Sequence, residues 1–181
     1  MRIVSGLYKG RLIHPPKNFS ARPTTDFAKE NLFNVLNNHV DFEELEVLDL
    51  FSGTGSISYE FASRGSKHII SVENNFKHFR FIKQTCELLS IKQIKAIKTD
   101  VFRYIKSCTS TFDIIFADPP YQLENIEEIP GLILDKKLLK KDGWLIVEHG
   151  DKTNFSKHAC FKEIRKYGGV NFSIFENQAE S

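Results

Sequence analysis

From Glu46 onward, short apolar runs alternate with longer segments whose apolar positions recur every three or four residues. That alternation is the mark of strands and helices laid down as repeated βα units. Strands are predicted over 46–51 (EVLDLF), 68–73 (HIISVE), 94–98 (IKAIK), 112–117 (FDIIFA) and 143–148 (GWLIVE). Between them, 56–64 and 75–89 read as helices, and in the second Phe79, Ile82, Cys86 and Leu89 share one face. Such a series predicts a parallel, doubly wound α/β sheet. The end of the chain differs, because 161–167 and 170–175 are aromatic and β-branched runs separated by Gly168-Gly169. That is a hairpin signal, so the sheet should finish in an antiparallel pair.

Ahead of the sheet, residues 2–5 and 11–14 read as two short strands closed off by Pro15-Pro16 as an extended linker. A helix should start near Thr25, whose hydroxyl can cap free backbone N–H groups, with Asp26 facing the positive helix end. Ala28, Leu32, Val35 and Leu36 would form its buried stripe.

Composition sharpens this picture in one respect. The 181 residues are 41% hydrophobic with no composition break, which suits one compact domain with a small appendage. The formal net charge of +2 hides an asymmetry: residues 1–29 hold six basic side chains (Arg2, Lys9, Arg11, Lys17, Arg22, Lys29) against Asp26, and the rest holds 19 basic against 22 acidic. A cationic arm on a mildly acidic body suits a polyanionic partner. Cys86, Cys108 and Cys160 are widely spaced without a CxxC pair, which suggests neither a disulfide framework nor a zinc site. A reduced, cytoplasmic protein without metal is expected, with neither a membrane span nor a signal-peptide core.

The segment Val47-Leu48-Asp49-Leu50-Phe51-Ser52-Gly53-Thr54-Gly55 runs from a buried strand into a helix, with glycines where the backbone must turn tightly and approach a ligand. A dinucleotide fingerprint would place a third glycine where this chain has Ser58, so the pyrophosphate-binding version is not supported. Asp49, at a strand end, is instead placed to meet a positive group such as the ammonium of a methionine moiety. Glu73 closes the next strand and can accept both hydroxyls of a ribose. Asp100 follows the third strand and can accept from an adenine amine. Three carboxylates ending three successive strands describe an adenosyl site.

Asp118-Pro119-Pro120-Tyr121 follows the fourth strand, beside the crevice where open α/β sheets bind ligands. The lone pair of an exocyclic base amine is delocalised into its ring and must be drawn out before it attacks a sulfonium methyl group. Asp118, helped by the carbonyl of Pro119, can hold both N–H groups and stabilise the charge that develops on nitrogen. The two prolines fix the backbone and remove competing donors, and Tyr121 offers a flat face for an unstacked base. No Pro-Cys nucleophile accompanies the tetrad, which disfavours attack through a base carbon.

With these residues in hand, the chain resembles the bacterial 16S ribosomal RNA guanine-N(2) methyltransferase family over nearly its whole length. The resemblance rests on Arg2-Ile3-Val4-Ser5-Gly6 with Lys9-Gly10-Arg11, on Arg22-Pro23-Thr24-Thr25-Asp26, on Leu32-Phe33-Asn34, on DLFSGTG at 49–55, on Ser63-Arg64-Gly65, Glu73, DPPY at 118–121 and Val147-Glu148. It implies a Rossmann-like, seven-stranded sheet with an N-terminal hairpin, S-adenosylmethionine as cofactor, and a guanine of small-subunit RNA, free or in the assembling subunit, as substrate. It implies that Asp49, Gly53 and Gly55 line the methionine end of the cofactor, Glu73 its ribose and Asp100 its adenine, with Phe51 and Val101 beside them. Asp118 to Tyr121 would hold the base, and Arg11, Arg22 and Thr24 would meet RNA near the entrance. The implied division is a basic hairpin extension over 1–24 and a catalytic domain over 25–181. The alternatives are an amino-methyltransferase acting on adenine or cytosine in DNA or other RNA, a non-catalytic adenosyl- or RNA-binding module, and a dehydrogenase, which Ser58 weakens.

Overall fold

The computed structural model describes residues 1–17, 19, 25–120 and 122–178. Its seven strands are β1 (Glu46–Leu50), β2 (His68–Glu73), β3 (Ile94–Lys98), β4 (Phe112–Ala117), β5 (Leu139–His149), β6 (Phe161–Tyr167) and β7 (Val170–Glu176). They form one sheet in the order β3-β2-β1-β4-β5-β7-β6. The first five run parallel, and β7 pairs antiparallel with both β5 and β6. Among the described residues five α-helices accompany them: α1 (Asp26–Leu36), α2 (Ser56–Ser63), α3 (Phe76–Leu89), α4 (Val101–Ser107) and α5 (Glu128–Asp135). This is the expected mostly parallel, doubly wound sheet with its antiparallel close.

The strand sequences explain the layering. The parallel strands inside the sheet, β1, β2, β4 and β5, are buried on both faces, so their residues alternate between two cores rather than between core and water. Val47, Ile69, Ile114, Phe116 and Ile146 meet α1 and α2 residues in one core. Leu48, Leu50, Val72, Ile115, Ala117 and Val147 meet α4 and α5 residues in the other. β5 begins four residues earlier than its apolar run, at Leu139, which pairs with Phe112 of β4, and Lys140 beside it lies 2.9 Å from both Asp113 and Glu46. Helices α4 and α5 were not among the predicted elements; the first spans only seven residues, and the second carries Pro130 and Gly131. At that length neither shows two full turns of clean period.

The Thr25 hydroxyl caps α1 by accepting from the Ala28 N–H at 3.1 Å. The buried stripe contains Ala28, Leu32 and Leu36 as expected, but Phe33 and Lys29 join it, and Val35 is only half-buried. Lys29 is therefore a correction to the cationic arm: at 1% exposure it is a core residue. Its ammonium donates to the Arg2 carbonyl at 2.6 Å and lies 3.7 Å from Glu60, itself fully buried.

Around that pair the N-terminal segment docks. The two expected strands reduce to a tight loop held by a single antiparallel bridge, Arg2 to Leu12. Ile3 N–H donates to the Arg11 carbonyl and Ile13 N–H to the Met1 carbonyl across the loop, and α2 satisfies further groups: the Val4 and Ser5 N–H groups donate to the two Glu60 oxygens, and Tyr8 N–H donates to the Ser63 hydroxyl. Gly6, at φ +80°, passes so close to α2 that an added Cβ would lie 1.8 Å from the Ser63 carbonyl oxygen. Only glycine fits there.

Candidate active site

The carboxyl end of β1 turns through Phe51, at φ +59°, and then through Gly53 and Gly55, at +54° and +83°. An added Cβ on Gly55 would lie 2.7 Å from the Tyr59 ring, so the second glycine is required both by conformation and by space. The loop is tied across to β2. Ser52 N–H donates to the Val72 carbonyl at 3.0 Å, and Gly53 N–H donates to Glu73 at 2.8 Å. Phe51 packs edge-on against Phe102 of α4, with ring centroids 6.5 Å apart. The glycine loop is thus clamped from two neighbouring βα units.

Asp49 is 1% exposed and accepts from the Ser58 hydroxyl at 2.5 Å; Ser58 in turn lies 3.0 Å from the Ser71 hydroxyl. Burial pushes the Asp49 carboxyl up to about 7, an effect that hydrogen bonds from Ser58 and Ser52 only partly offset. A buried acid poised this way calls for a positive partner. Glu73 spends one oxygen on Gly53 N–H and the other on Asn75 N–H at 2.6 Å, with the His78 ring nitrogen 3.9 Å away. Asp100 is exposed and caps α4 by accepting from the Arg103 N–H at 3.0 Å. Val101 beside it is buried in the α4 core, and Asp100, Phe102, Arg103, Lys106 and Ser107 line a groove of about 460 Å³.

Asp118 stands one residue past β4, its N–H directed at the Leu50 carbonyl of β1 at 3.4 Å. Its carboxyl is held well above the ordinary carboxylate range, first by desolvation, then by the negative charges of Glu148 and Asp49. Pro119 is buried and Pro120 exposed; Tyr121, Arg22 and Thr24 lie outside the described residues. Arg11 is exposed on the docked N-terminal loop.

The sheet register shows how these residues come together. Asp49 pairs with Ser71 on one side and Phe116 on the other, while Ala117 pairs with Val147. Glu73, Asp49, Asp118 and Glu148 therefore sit on four adjacent strand ends, β2, β1, β4 and β5. Glu148, 5% exposed, is the member that motif reading gave no role. The signal that finds it is its place next to Asp118 across the β4–β5 pair. Ser58, whose place in the sequence counts against a dinucleotide, is in the structure also the hydroxyl that holds Asp49.

The fit to an adenosyl cofactor is good on these observations: a tight glycine loop at the end of β1, a buried carboxylate for an ammonium, and a carboxylate at the adjoining strand end for hydroxyls. Comparisons with known proteins agree. The family described as Conserved hypothetical protein 95 matches residues 1–176. The chain belongs to that family. Ribosomal RNA small subunit methyltransferase D of Haemophilus influenzae is 30% identical over 184 residues, covering 98% of this chain and 94% of its own. Among solved structures, a hypothetical protein of Thermus thermophilus superposes with a TM-score of 0.86 at 23% identity, over 97% of this chain and 99% of its own. An RNA methyltransferase of Salinibacter ruber in complex with S-adenosyl-L-homocysteine gives a TM-score of 0.70 at 12% identity, over 88% and 96%. The protein is a methyltransferase.

Proposed function

We propose that the protein transfers the methyl group of S-adenosylmethionine to the exocyclic N2 amine of a guanine in small-subunit ribosomal RNA, in the cytoplasm. The observation that carries the chemistry is the position of Asp118, just past the end of β4 and one strand away from the glycine loop of β1. The cofactor supplies an electrophilic methyl group and a positive charge. Asp49 holds its ammonium, Gly53 and Gly55 give its methionine end close approach, Glu73 takes its ribose, and Asp100 with Val101 and Phe51 flanks its adenine.

Asp118 accepts one N–H of the target amine and the carbonyl of Pro119 accepts the other, which orients the nitrogen lone pair toward the methyl group. Positive charge developing on nitrogen is met by a carboxylate already in place. The raised carboxyl of Asp118 suits this role, since a cation beside it draws it into the ionised form. Tyr121 stacks on the base, and Arg11, Arg22 and Thr24 meet the flanking RNA. Residues 1–24 then act as an RNA-gripping extension of the catalytic body, 25–181.

Support for ribosomal RNA comes from the named relative above and from the match of the N-terminal motifs together with DPPY. Mass spectrometry of nucleosides from digested ribosomal RNA, with and without the protein, tests the reading. Cells lacking it should miss one methyl group on a guanine amine of the small subunit. Loss of a methylated adenine instead would keep the chemistry and discard the guanine assignment.

A further inference from the structure

A second cationic surface lies far from the N-terminal arm in sequence. Between Phe76 and Lys106 the chain carries eight lysines and arginines against only Glu87 and Asp100. All eight are exposed, and none forms an ion pair with a described residue. Outside this stretch and residues 1–29, the chain holds 11 basic against 20 acidic side chains. The basic charge is thus segregated rather than mixed with acids over the whole surface.

The fold explains why these cations gather. Strand β3 is the edge of the sheet, and α3 and α4 pack on its two faces, so the exposed sides of three consecutive elements form one rim. Lys77 stands in the first turn of α3, Lys98 ends β3 in register with Glu73, and Arg103 stands in the first turn of α4. All three lie at the sheet end that carries the active site. Lower on the rim, Lys83, Lys92 and Lys95 line a groove of about 370 Å³. The Phe19 ring, on the linker from the N-terminal loop, packs 4.7 Å from His78 and 5.5 Å from Phe81 on α3. That contact sets Phe19, two residues past the exposed Lys17, against the helix bearing Lys77 and Arg80.

We infer that this rim of α3, β3 and α4 is a second grip for RNA phosphates, continuous through Phe19 with the N-terminal arm, so that RNA is held along both the hairpin and the sheet edge. Eight cations on one rim, with only Glu87 and Asp100 among them, repel one another in the free protein. A phosphate backbone relieves that repulsion and releases its own counterions. Lysines on an edge strand also discourage strand pairing, but this accounts only for Lys95 and Lys98 and not for the helix cations. Phosphate contacts of this kind fix the position of the substrate without reading its sequence.

The inference rests on the ribosomal RNA reading, and the test separates the two. The variant Arg80→Gln/Lys95→Gln/Lys98→Gln touches no residue assigned to the cofactor or target amine. Lys136→Gln/Lys137→Gln/Lys141→Gln removes the same charge from the opposite end of the sheet. With 16S rRNA from cells lacking the protein, the first variant should raise KM roughly tenfold or more at about 0.1 M salt. It should also flatten the dependence of log affinity on log salt by about two to three units. Its kcat, and its affinity for S-adenosylhomocysteine, should stay at the wild-type value, and the second variant should behave as wild type throughout. Equal effects of both variants, or none from the first, would overturn the inference. So would weakened binding to anionic phospholipid vesicles with RNA binding intact. A wild-type protein that binds this RNA through the rim yet leaves it unmethylated would instead defeat the substrate reading alone.

Discussion

Glu73 accepts the Gly53 N–H at 2.8 Å, a bond that fastens the cofactor loop of β1 to the end of β2. The same carboxylate also accepts from Asn75 at the start of α3, so one side chain holds the loop, the strand end and the next helix together. An ionised carboxylate has about four acceptor positions, which leaves room for ribose hydroxyls without breaking either bond. Glu73→Ala should therefore weaken binding of S-adenosylhomocysteine by on the order of 1.5–3 kcal/mol, measured by calorimetric titration. An unchanged binding constant would remove Glu73 from the ribose site.

Asp118→Ala separates chemistry from binding. It deletes the acceptor for the target amine while leaving the clamp between Gly53 and Glu73 intact. Single-turnover methylation should fall by a hundredfold or more, on the order of 3 kcal/mol, with cofactor affinity near wild type. Normal turnover in this variant would rule out the assigned role.

The acid at the head of the loop predicts a pH dependence. Asp49 is raised from an ordinary value near 3.8 to about 7 by burial, so the folded protein without cofactor favours its protonated form. The stability this confers is present at low pH and is lost as pH rises through that window, by up to roughly 4 kcal/mol. A cofactor ammonium reverses the preference, because it is met by the ionised form. Binding should then tighten from pH 5.5 to 8 and release protons at the lower end, which titration in buffers of different ionisation enthalpy detects. Asp118 is raised in the same direction, so the comparison that decides is wild type against Asp49→Asn. If that variant keeps the full pH dependence, Asp49 is not the coupled group.

What could be read from the sequence follows from which interactions are local. Strands β2 and β4 carry their burial in their own apolar runs, and the half-buried edge strands β3 and β6 show theirs as apolar positions spaced between charged ones. The glycine loop and the tetrad were legible because special backbone geometry demands glycine and proline at fixed offsets. Contacts between distant segments were not. Nothing near Lys29 says that Glu60, 31 positions on, will bury it, so the charge count placed it on the surface. The rim of α3, β3 and α4 was averaged away for a similar reason: its cations are diluted along the chain and concentrated only when the sheet brings its edge together.

The buried pair of Lys29 and Glu60 gives the last prediction. Desolvation lowers the Lys29 pKa while Glu60 and Asp26 oppose it, which is the balance of a charge kept indoors by its partners. Lys29→Met leaves Glu60 fully buried against Arg64 and the Val4 and Ser5 N–H groups, with its central cation gone. Because Arg64 still pairs with Glu60 at 3.2 Å, Lys29→Met should cost less than the roughly 3–5 kcal/mol of a buried charge left with no partner, and changing both partners should cost less than the two single changes combined. Thermal melts of Lys29→Met, Glu60→Gln and the double variant should show that non-additivity. Gly6→Ala reaches the same docking without touching a charge, because its Cβ would run into the Ser63 carbonyl. It should lift the hairpin from α2, raise KM for RNA several-fold and leave the affinity for S-adenosylhomocysteine unchanged. Should cofactor affinity fall in step with RNA affinity, the hairpin would be part of the cofactor pocket rather than an arm that grips RNA.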